Sequence, residues 1–138
     1  MSIKDTGSIQ RYSEGDVIIS EGIVSNNAYV IISGKVRITK KVDKKTVVVG
    51  TLKEGEVFGE MGLIVENVRS ASVVAAEDVE VGIIDKETFE RLLEALPDDL
   101  RAIMAALVDR LKMTTNVLTR VGLELDNTRN QLQSYTMK

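Results

Sequence analysis

Residues 28–40 read AYVIISGKVRITK. Two runs rich in β-branched residues, Ala28 to Ser33 and Lys35 to Lys40, meet at Gly34. In the second run Val36, Ile38 and Lys40 alternate with Arg37 and Thr39, the period-two pattern of a strand with one buried face. The pattern repeats outward. Glycine recurs at Gly15, Gly22, Gly50 and Gly55, and between these turns lie Asp16 to Ser20 and Thr46 to Leu52. Asp43-Lys44-Lys45 is the expected hairpin tip. Beyond residue 70, Ser72 to Ala76 and Val79 to Ile84 continue as strands around a turn at Glu77-Asp78. Many short strands bounded by turn residues predict a mainly β fold, a sandwich or barrel. Asp85 then suits the N-cap of a short helix through Thr88, Phe89, Leu92 and Leu93, which Pro97 ends.

Composition narrows the chemistry. A chain of 138 residues holds one domain and an extension. A net charge of −3 gives no electrostatic reason for a nucleic-acid or membrane partner. With no cysteine and no histidine, disulfides, thiolate nucleophiles, Ser-His dyads and histidine-bound metal or haem are excluded. No catalytic residue and no metal ligand set is therefore expected, and the protein reads as a non-enzyme. The absence of a signal sequence and of any long apolar run places it in the cytoplasm.

Residues 58–73, FGEMGLIVENVRSASV, carry the chemistry that remains. Gly59 lets backbone N–H groups approach an anion, and the short apolar turn Met61-Gly62-Leu63-Ile64 aims further N–H groups the same way. Arg69 offers a planar cationic fork for phosphate oxygens, and small residues after it leave room. Glu60 would repel a phosphate, so its use is to accept a hydrogen bond from a sugar hydroxyl. The residues alone allow a second account, an ordinary Glu60–Arg69 ion pair across a turn.

The stretch resembles the phosphate-binding cassette of the cyclic nucleotide-binding domain family: Phe-Gly-Glu, a hydrophobic and a small residue, Leu, a loop, then Arg, two small residues and Val. Phe58, Gly59, Glu60, Met61, Gly62, Leu63, Arg69, Ser70, Ala71 and Val73 fill these positions. Glu21-Gly22 through Val36 is similar to the framework of the same family. The resemblance implies a β-jelly roll, a double-stranded β-helix, over residues 1–97. It implies a ligand, cyclic AMP or cyclic GMP, bound by Phe58, Gly59, Glu60, Met61, Gly62, Arg69, Ser70 and Ala71. Glu60 would hold the ribose 2′-hydroxyl and Arg69 the cyclic phosphate, with amides near Gly59 and Ser70 completing the cradle. The loop Val65-Glu66-Asn67-Val68 departs from the pattern by lacking a proline before the arginine and by placing Glu66 near the mouth.

Residues 98–138 form the second expected unit. From Asp98 to Tyr135 no proline interrupts, and a helix of that length extends on the order of 55 Å. Met104, Leu107, Leu111, Thr114, Leu118, Val121, Leu125, Thr128, Leu132 and Tyr135 follow one another at spacings of three and four, the a/d seam of a coiled coil. The expected partner is a second copy in a parallel homodimer, with Glu124 and Arg129 at flanking g and e positions. Val108 and Val117 widen the stripe, so that half is expected to pack on its own β-domain as well. Arg110-Leu111-Lys112-Met113-Thr114-Thr115 resembles the dimer helix of the catabolite-activator branch of the family, where two adjacent hydroxyl residues meet the base. That likeness implies roles for Thr114 and Thr115. They favour cyclic AMP, while Ser70 leaves cyclic GMP open. The helix-turn-helix domain of that branch is not found in the sequence.

The expected function is a cytoplasmic cyclic-nucleotide sensor that couples binding to a dimerising helix and signals to an unidentified downstream protein. The alternative is an adaptor of the same fold that binds no nucleotide and recruits a partner through its coiled coil.

Overall fold

The computed structural model describes residues 8–65 and 68–136. Eight strands, β1 (Ser8–Tyr12), β2 (Val17–Ile19), β3 (Ala28–Ser33), β4 (Lys35–Val42), β5 (Lys45–Lys53), β6 (Val57–Phe58), β7 (Ser72–Ala75) and β8 (Val79–Ile84), precede two helices, α1 (Lys86–Glu94) and α2 (Asp98–Thr136). They form two four-stranded sheets ordered β1-β8-β3-β6 and β2-β7-β4-β5, antiparallel throughout. The chain passes from one sheet to the other after every strand but β4, the path of a jelly roll.

Alternation places the core between the sheets. Val36 is fully buried while its neighbours Lys35 and Arg37 are exposed. Ile19, Tyr29, Ile31, Val36, Phe58, Val73, Ala75, Val79 and Val81 pack as one cluster. Tyr29 and Phe58 stack with ring centroids 5.0 Å apart, a geometry worth about 0.5–1.5 kcal/mol beyond the area buried. A second cluster joins Ala28, Leu63 and Ile84 to Phe89 of α1.

Two strands had no clear signature. β1 is an edge strand exposed at four of its five residues, so its sequence does not alternate strongly. β6 is two residues long and lies inside the glycine-rich stretch. The hairpin tip is also tighter than expected, because Lys45 already pairs with Val42 and the turn is Asp43-Lys44 alone. Both turn residues are left-handed, at φ 51° and 68°, as a two-residue turn matching strand twist requires. Farther along the same hairpin the register shifts between Ile38 and Thr39, whose partners are Gly50 and Val48, and Val49 is the extra residue of a bulge.

Asp85 caps α1, its carboxylate accepting from the Thr88 N–H at 2.7 Å. The chain divides into two compact units between Leu96 and Pro97. The Pro97 carbonyl accepts the first helical bond of α2, from the Arg101 N–H. α2 is one helix of 39 residues. No helix among the described residues is long and apolar enough to cross a membrane.

Two outcomes follow from the turn and the cap. A left-handed L-residue costs about 1–2 kcal/mol, part of which glycine returns through its freer unfolded chain. Lys44→Gly should therefore stabilise the protein by roughly 0.5–1 kcal/mol, read from thermal or urea melts. Hydrogen bonds from Thr88 hold the Asp85 carboxyl below its ordinary value of 3.8. A carboxylate with a depressed folded pKa stabilises above its unfolded pKa and loses that contribution as pH falls through the folded one. Asp85→Ala should melt below the parent at neutral pH, and the two melting curves should converge in acid.

Candidate functional site

The site is built around a buried cation. Arg69 is 9% exposed, and burying an arginine without partners is costly. The surrounding backbone supplies them. Nη1 donates to the Gly59 carbonyl at 2.8 Å and Nη2 to the Asn27 carbonyl at 2.5 Å. Nε has no hydrogen-bond partner among the described residues. Burial pulls the guanidinium pKa below its ordinary value, while Tyr29 and Glu60 raise it. Among the described residues the ion pairs are Arg11–Glu80 and Arg101–Asp98, so Glu60 and Arg69 are not paired across a turn.

The Arg69 backbone is fixed as firmly as its side chain. Its carbonyl accepts from the Gly22 N–H at 2.8 Å, and its N–H donates to the Ile23 carbonyl at 3.0 Å. Val24 and Val68 form an antiparallel bridge, and the Ser72 hydroxyl accepts from the Glu21 N–H at 2.9 Å. Residues 21–24 thus run as a strap alongside residues 68–72.

Gly59 precedes a single turn of 3₁₀-helix, Glu60–Leu63, and is left-handed at φ 74°. A Cβ there would lie 3.0 Å from Ile19 Cδ1 and 3.3 Å from the Asn27 carbonyl oxygen. The position therefore disfavours side chains by conformation and by space. Gly62 is tighter still. Its Cβ would lie 2.6 and 2.7 Å from the two terminal nitrogens of Arg69 and 2.7 Å from the Ser25 carbonyl oxygen. The short helix consequently lies directly against the guanidinium.

The residues expected at the site separate into groups. Gly59, Gly62 and Arg69 are in mutual contact distance. Glu60 is exposed at the start of the one-turn helix, and Met61 is half-buried within it. The Phe58 ring lies in the core against Tyr29. Ser70 is exposed and Ala71 half-buried after Arg69. Thr114 and Thr115 occupy adjacent positions in α2, exposed and half-buried respectively. Glu66, expected near the mouth, and its neighbour Asn67 lie outside the described residues, as does the side chain of Tyr135. The carbonyls of Asn27 and Ser25 were not foreseeable, since a backbone oxygen leaves no mark in the sequence.

A cationic fork whose Nε has no partner among the described residues, flanked by two glycines and a carboxylate, suits a small ligand that carries both phosphate and hydroxyl groups. The cyclic nucleotide-binding domain family matches residues 9–95, and the chain belongs to that family. It is 35% identical to cGMP-dependent protein kinase 2 of Mus musculus over 112 residues, 79% of this chain and 15% of the kinase. The chain therefore corresponds to a small part of that relative. Among solved structures it is similar to the EAL enzyme Bd1971 in a half-site-occupied form, with TM-score 0.76, 34% identity and coverage of 79% of this chain and 98% of that one. The same enzyme has been solved in a cAMP-bound form, of which this chain covers 30% at TM-score 0.61, and in a cGMP-bound form, of which it covers 28% at 0.59. The catabolite activator protein of Thermus thermophilus is 30% identical with TM-score 0.65, covering 85% of this chain and 57% of that one.

Gly62→Ala tests the close approach. The alanine methyl cannot be accommodated by movement of Arg69 alone, because the Ser25 carbonyl is backbone. The substitution should destabilise the protein by about 1–3 kcal/mol, the usual cost of overpacking, measured by urea denaturation.

Proposed function

We propose that the chain is a cyclic-nucleotide sensor whose ligand is cyclic AMP or cyclic GMP. The observation that carries this reading is Arg69, a buried guanidinium whose Nε has no partner among the described residues while two carbonyls accept from its terminal nitrogens. The cyclic phosphate would accept from Arg69, and Glu60 would accept from the ribose 2′-hydroxyl. Gly59, Met61 and Gly62 shape the turn beside them, and Phe58 supports it from the core. Ser70 and Ala71 follow the arginine, as small residues on the ligand side. Membership of the family supports this assignment, as does similarity to an enzyme solved with each nucleotide.

The role is sensing, not turnover. The sequence has no histidine or cysteine to serve as base or nucleophile. Thr114 and Thr115 of α2 are the hydroxyls proposed to meet the base, which couples ligand binding to the helix. Copies of the chain associate through the seam Met104, Leu107, Leu111, Thr114, Leu118, Val121 and Leu125, a homodimer being the smallest such assembly. A further protein reads the resulting change.

Isothermal titration with cyclic AMP and then cyclic GMP tests the reading. One nucleotide should bind per chain. Arg69→Ala should lose roughly 2–5 kcal/mol, the cost of truncating a buried charge pair, which is about thirty-fold or more in Kd. Absence of heat with both nucleotides, from folded protein, would favour the adaptor of the same fold. Equal affinity in Arg69→Ala would overturn the site assignment.

A further inference from the structure

The seam of α2 carries its residue types in the reverse of the order that a two-stranded coil prefers. Its spacing puts Met104, Leu111, Leu118 and Leu125 at position a of the heptad and Leu107, Thr114, Val121 and Thr128 at position d. In a parallel pair of helices, β-branched residues fit at a and leucine at d. The Cα–Cβ bond at d points across the pair toward the facing helix, where a branch at Cβ collides and a branch one atom farther out does not. In a four-stranded coil the two geometries exchange, so leucine at a with β-branched residues at d favours larger bundles. From Leu111 to Thr128 every a position is leucine and every d position is β-branched.

Two further observations point the same way. Thr128 donates its hydroxyl to the Glu124 carbonyl of its own helix at 2.9 Å, so its polar demand is met locally and it packs as valine would. The flanking positions are also apolar or small over much of the helix: Ile103 and Val117 at g, Val108 and Gly122 at e. Ile103 is 57% exposed and Val117 53%. In a two-stranded coil these positions face water and carry charge, whereas in a four-stranded one they turn inward. Glu124 at g and Arg129 at e retain the charge pairing of parallel neighbours.

We infer that α2 brings together four copies of the chain, in parallel, with the segment Leu118–Thr128 as their common core. This rests on the reading that the seam of α2 binds copies of itself. Each β-domain would thereby be one of four sensors on a shared bundle.

Sedimentation equilibrium of the full chain, with and without cyclic AMP, reads the number of copies. The expected mass is four times that of one chain. A second protein, Leu118→Ile/Val121→Leu/Leu125→Ile/Thr128→Leu, restores the order of a two-stranded coil and should halve that mass, with helix content checked by circular dichroism. A parent mass of one, two or three chains overturns the inference, and so does a folded variant that remains at four. The parent mass is decisive even if the variant fails to fold. Nucleotide titration of the same sample separates the two readings. Four chains that bind no nucleotide would overturn the sensor and leave the bundle standing, and two chains that bind nucleotide would do the opposite.

Discussion

Placing the Arg69 guanidinium inside the jelly roll is the condition that shapes its surroundings. A cation there must be met by oxygen, and the oxygen comes from backbone carbonyls at Gly59 and Asn27. Bringing those carbonyls close leaves no space for a Cβ at Gly62 and little at Gly59. Keeping the arginine aligned requires the strap of residues 21–24, which takes both of its backbone groups. The strap in turn begins where Ser72 of β7 accepts from Glu21. One residue, through its side chain and its backbone together, therefore ties the loop between β2 and β3 to the loop after β6. Because neutral carbonyls, and not a carboxylate, hold its terminal nitrogens, the positive charge is oriented without being cancelled.

Much of this was legible in the sequence, for physical reasons. Val36 and Ile38 announce a strand because burial on one face forces alternation. Asp85 announces a helix because an oxygen is needed exactly where the first N–H groups lack partners. Gly59, Gly62 and Arg69 were visible as a spaced pattern. What escaped was set by distance along the chain or by backbone atoms. The Asn27 carbonyl meets an arginine 42 residues away, and no residue type is needed to supply it. β1 lacked a pattern because an exposed edge strand is held by its ladder to β8 more than by its side chains. The bulge at Val49 sits in an unbroken run of valines, where each register looks alike.

The two units have different relations to the family. Its match ends at residue 95, just before the division at Pro97. The jelly roll carries constraints that act together, since strand pairing, core and arginine partners depend on one another. α2 is bound by a simpler rule, an apolar residue every third or fourth position. A helix under that rule can take substitutions that leave the geometry of the jelly roll unchanged.

The sheet order also imposes a schedule on the ribosome. β1 begins at Ser8, and its ladder runs from Ser8 opposite Ile83 to Tyr12 opposite Val79. The first strand to leave the exit tunnel therefore waits for the last. At about 5–20 residues per second, that interval is on the order of 4–15 s. Meanwhile β4 and β5 pair through a two-residue turn and close within about 1–10 μs of emerging. The nascent chain consequently holds a finished hairpin beside an unmatched β1 from the emergence of Lys53 until β8 follows, and the jelly roll closes only then.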